Sequence, residues 1–185
     1  MLPVKIYFRF TKCASFIVLS LGLLCCTPAK YITKKQSEVS PTELENSVVN
    51  YIPLPDEWLQ KSQFLDSCYV LLTEKRYHNL DKYIQSKEAS GMKPSEGYLA
   101  KTLLLITKLA YPEALQNITK IEDNDFLKIR QLLTIDLNYE IARQNGNVDF
   151  KSVLNAYQTL VDSNPDDLLL KKIVSIRLRY LRYNN

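Results

Sequence analysis

From Asp56 onward, apolar side chains return at steps of three and four, with Lys, Glu, Asp and Ser between them. That is the period of a helix with one buried face. The pattern predicts helices over Asp56–Lys75, Arg76–Ala89, Ser95–Ala110, Pro112–Glu122, Asp125–Gln144, Asp149–Ser163 and Pro165–Arg182. Their ends carry matching chemistry. Gly146 is placed to stop one helix, and Asn147-Val148-Asp149 offers an N-cap for the next. Asn164-Pro165-Asp166-Asp167 offers an N-cap, a proline at N1 and two acids on the positive end of the dipole. No alternating run with turn chemistry competes, so the foldable region, 56–185, is expected to be all-α.

A longer period lies over the short one. Phe64, Tyr98 and Leu132 are 34 residues apart, as are Leu65, Leu99 and Leu133, and Leu71, Leu105 and Tyr139. Tyr77 and Tyr111 keep the step, and Phe150 follows 39 later, the extra five residues falling at Gln144-Asn145-Gly146-Asn147-Val148. Leu80, Ala114 and Val153, then Ile84, Ile118 and Tyr157, continue that face. In spacing this resembles the tetratricopeptide repeat. The resemblance implies antiparallel helix hairpins stacked as a short solenoid, roughly from Phe64 to Arg182, with a helical bundle as the alternative. The letters agree less well. Where the family places small side chains, the chain has Cys68, Thr102 and an ill-suited Asp136.

The N-terminal pattern is of another kind. Lys5, Arg9 and Lys12 precede an apolar run from Ala14 to Leu24, too short to span a bilayer comfortably and suited to a secretory signal. Leu23-Leu24-Cys25-Cys26 resembles the bacterial lipobox. The resemblance implies that 1–25 is a removable lipoprotein signal peptide and that Cys26 is lipidated, palmitate among its acyl chains. Two or more chains anchor stably where one does not. Thr27 stands where some inner-membrane lipoproteins have Asp, so the expected place is the outer membrane, on its periplasmic face. The polar stretch 26–55 is expected to be a flexible tether, with one short helix after Ser40-Pro41.

Charge and cysteine content narrow the rest. Without residues 1–25 the chain holds 21 basic residues against 20 acidic, no electrostatic footprint for nucleic acid. Removing Cys13 and Cys25 and acylating Cys26 leaves Cys68 alone, which reads as a small buried hydrophobe. With His78 the only histidine and no glycine cluster, neither a histidine-based metal cluster, a serine–histidine relay nor a phosphate loop can be assembled. No cofactor, no metal and no enzymatic activity are expected. The acids at 122–125 and 166–167 read as solvated helix ends.

Two features point to binding. Eleven tyrosines follow the signal region, and five of them, Tyr77, Tyr98, Tyr111, Tyr139 and Tyr157, coincide with the 34-residue pattern. Tyr69 and Tyr83 fall off it and are the candidates for an exposed inner face. The last helix carries two adjacent apolar lines, Leu169/Ile173/Ile176/Tyr180 and Leu170/Val174/Leu178/Leu181, with Lys171, Lys172, Arg177, Arg179 and Arg182 around them. Ile176 and Tyr180 are the candidates for docking there, onto a partner protein or an anionic membrane; a helix buried in a groove is the other reading. The expected function is an envelope scaffold or assembly factor that binds other envelope proteins. A ligand-binding lipoprotein accompanying an envelope transport system is the alternative.

Overall fold

The computed structural model describes residues 54–183. The leader, Cys26, the tether to residue 53 and the short helix expected within it lie outside the described residues. Among the described residues all regular structure is helical: α1 Asp56–Leu59, α2 Gln63–Thr73, α3 Tyr77–Ala89, α4 Pro94–Thr107, α5 Tyr111–Ile118, a 3₁₀ turn Asn124–Phe126, α6 Leu127–Gln144, α7 Phe150–Asp162 and α8 Leu168–Tyr183. The fold is all-α.

Several expected boundaries change: the helix expected to reach Ala110 ends at Thr107, and the one expected to reach Glu122 ends at Ile118. The single helix predicted over Asp56–Lys75 is broken at Gln60–Ser62, because the Ser62 hydroxyl accepts from the Leu65 N–H at 3.2 Å and starts a new helix. The last helix begins at Leu168 rather than Pro165. Asn164 does not cap it; its amide donates to the Leu160 carbonyl of α7 at 2.9 Å. Asp167 takes that role, accepting from the Leu170 N–H at 2.9 Å. Within Asn147-Val148-Asp149 the cap is Asp149, which accepts from the Ser152 N–H at 3.2 Å and starts the helix at Phe150.

Each helix packs on the next in sequence, and α2 also meets α4. The turns within the three hairpins α2–α3, α4–α5 and α6–α7 share one design. Lys75, Leu109 and Gly146 are left-handed, with φ of 57°, 54° and 68°. In each turn the following N–H reaches back five residues: Arg76 to Leu71, Ala110 to Leu105, and Asn147 to Ala142, at 2.9, 3.0 and 3.0 Å. This pairing satisfies the carbonyls that a helix end leaves open. Only the third turn has the glycine that the conformation favours.

Positions in register share burial as well as spacing. Leu65, Leu99 and Leu133 are fully buried, and so are Ile84, Ile118 and Tyr157. Cys68, Thr102 and Asp136 are buried alike, each meeting the interior differently. Cys68 needs no partner. Thr102 donates to its own helix at the Tyr98 carbonyl, 2.7 Å away. Asp136 relies on other helices.

Candidate functional site

Asp136 lies on α6 and is fully buried. Its carboxylate accepts from Arg177 Nε of α8 at 2.9 and 3.1 Å, and from the Tyr157 hydroxyl of α7 at 2.5 Å. Three helices therefore meet on one charge. Burial raises the Tyr157 phenol well above its ordinary range, and the Asp136 carboxylate raises it further, so it remains a donor. One turn along α6, buried Glu140 accepts from Arg143 Nε and Nη2, both at 2.8 Å.

Arg177 corrects a sequence-level expectation. The cations of the last helix were expected around its apolar lines, but Arg177 is within them and fully buried. The missed signal was positional. Arg177 continues the face of Leu170, Ile173, Val174 and Leu181, and Asp136 occupies a core position on α6. A charge on each of two apolar faces predicts a pair, because an isolated charge there is very costly.

This clamp sets the rotation of α8 and so decides what points outward. Lys171, Lys172, Arg179 and Arg182 are exposed, together with Leu168 at 78%, Ile176 at 41% and Tyr183 at 84%. Between it and α7 runs an open groove of about 510 Å³, lined by Val161, Val174 and Leu178 and by Lys171, Arg179 and Arg182. A second open groove, about 410 Å³, lies between α6 and α7 over Ile135, Ala156 and Leu160.

The four residues singled out from sequence fall in two places. Tyr69, on α2, is half-buried, and burial followed by a hydrogen bond to Asp56 raises its phenol. Tyr83, on α3, is half-buried and stacks on Phe64, with ring centres 5.6 Å apart; Lys87 Nζ lies 5.6 Å above it. Ile176 is exposed on α8, while Tyr180 is half-buried against the core. α2 and α3 are not packed against α8, so the structure does not gather the four into one surface.

Cys68 is buried, and desolvation, with Glu96 adding to it, pushes its thiol up to about 12. Among the described residues no three His, Cys, Asp or Glu side chains converge as a metal-ligand set, and no helix is long and apolar enough to cross a membrane. The chain matches no protein-family model, and comparison with curated proteins and with solved structures returns no similar one.

Proposed function

We propose that the chain is a lipid-anchored lipoprotein of the bacterial envelope, held at the outer membrane, whose hairpins stack as a short tetratricopeptide-like solenoid and serve as a scaffold for other envelope proteins. The observation that carries the scaffold reading is the recurrence of one left-handed turn at Lys75, Leu109 and Gly146, each lying between equivalent buried positions of its two helices. Each hairpin then buries one side against the next, and side chains between neighbours present a continuous surface. The anchor rests on Leu23-Leu24-Cys25-Cys26 after the short apolar run. Mechanism in this reading is geometric: acyl chains fix location, the stretch from Cys26 up to the buried Leu54 gives reach, and rigid helices hold contact residues in place. No chemical step is assigned.

Two measurements test the two halves. The mass of the mature N-terminal peptide must show acylated Cys26; an unmodified Cys26 removes the anchor. Photocrosslinkers placed in living cells at Tyr69 and Tyr83 should capture the same envelope protein from both positions. Capture of nothing above a control position such as exposed His78 removes the scaffold surface from that face.

A further inference from the structure

The outward face of α8 is the one strongly one-signed surface on the described helices. Leu168–Tyr183 contains five basic residues and no acidic one. Asp136 takes Arg177 out of the count, leaving Lys171, Lys172, Arg179 and Arg182 in solvent. Negative charge gathers only before the helix, at Asp162, Asp166 and Asp167, and Asp167 is paired with Lys128 at 2.6 Å. Leu168, Ile176 and Tyr183 protrude among the cations. At 1.5 Å per residue, this 16-residue helix presents a face about 24 Å long.

Like charges exclude one occupant. A second copy apposed through the same face would bring four cations against four. The face instead complements an anionic surface that also accepts apolar side chains. Cations interleaved with exposed Leu, Ile and Tyr on one side of a helix are the pattern that lies in the headgroup layer of a bilayer. Tyrosine suits that boundary, with an apolar ring and a polar tip.

The geometry points to α8 as a peripheral docking face for anionic phospholipid headgroups, with the Asp136–Arg177–Tyr157 clamp holding the helix in the rotation that presents it. This deepens the envelope reading above and rests on it for the supply of membrane. It does not depend on the Cys26 anchor.

Lysine footprinting on the full chain tests it. The chain is mixed with vesicles of phosphatidylcholine, with or without phosphatidylglycerol, and acetylated; modification at each lysine is then read by peptide mass spectrometry. Lys171 and Lys172 should lose about tenfold in reactivity only on the anionic vesicles, and regain it at high salt. Exposed Lys75 should be unchanged. Arg179→Gln and Arg182→Gln should each weaken this protection roughly fivefold. Equal reactivity of Lys171 and Lys172 on both vesicle types overturns the proposal. Protection by soluble polyglutamate with none on anionic vesicles also overturns it, and assigns the face to an acidic protein. Sedimentation with neutral vesicles reads the anchor separately. A chain held there whose lysines stay reactive on anionic lipid keeps the anchor and loses the face; the opposite result keeps the face and loses the anchor.

Discussion

Residue 68 in the first hairpin and residue 136 in the third occupy the same place on their helices, two steps of 34 apart, and both are fully buried. One is a cysteine that packs as a small apolar group. The other is an aspartate bound to two further helices. At residue 68 the first hairpin thus meets its neighbours by non-directional burial, which fixes how much surface is covered. The third adds directional bonds, which fix the angle at which α7 and α8 sit. A buried ion pair contributes little net stability against well-packed apolar replacements, but breaking it leaves a buried charge. The difference therefore concerns geometry more than total stability.

The sharpest way to break the comparison is Arg177→Met, which strands the Asp136 carboxylate. We expect a loss of about 3–5 kcal/mol in urea unfolding, most of it returned by the double variant Asp136→Leu/Arg177→Met. Full destabilisation persisting in the double variant would mean that the loss is one of packing rather than of charge. Tyr157→Phe removes one hydrogen bond to that carboxylate and should cost about 1.5–3 kcal/mol. At the corresponding apolar position, Cys68→Ala should cost only about 1 kcal/mol, the loss of one buried atom. In the native chain the same thiol, held at about 12, should resist alkylation at neutral pH and become reactive only on unfolding.

Smaller effects sharpen the contrast between the turns. Lys75 is exposed and left-handed, so Lys75→Gly should raise stability by up to about 1 kcal/mol, where Gly146→Ala should lower it by a similar amount. The smallest expected effect is a pH dependence at the start of α8. Burial raises the Asp167 carboxyl, but Lys128 and the Leu170 N–H outweigh that and hold it below its ordinary value. Its contribution is complete above the unfolded value of about 3.9 and disappears as pH falls through the lower folded value. Asp167→Asn should therefore flatten the acid end of the stability curve and leave its shape near neutrality unchanged.

Much of this was legible along the chain because it is local. Apolar spacing located the helices to within a few residues, and Gly146 and Asp149 marked a helix stop and a start through their own backbone and side-chain chemistry. The left-handed turns at Lys75 and Leu109 were not legible, since neither residue favours that conformation. They are held by bonds back into the preceding helix, to Leu71 and Leu105 respectively. The break at Gln60–Ser62 was missed because the apolar period runs on through it. Asn164 stands where a cap for α8 is expected, but its amide can serve either helix, and only the position of α7 decides between them.

What the sequence by itself determined is the helical class, the step of 34 and the supply of cations on the last helix, because periodicity and composition depend on neighbours within a few turns. What only the tertiary structure decided is which acid meets the cation on the buried face. Helical spacing puts Arg177, and not Arg179, on the face of Leu170, Val174 and Leu181, but Asp136 is 41 residues away and no local pattern joins the two. Packing made the choice: on α8 the Arg177 side chain points with Leu170, Val174 and Leu181 toward α6, and a charge brought into that interior must find its counterion there.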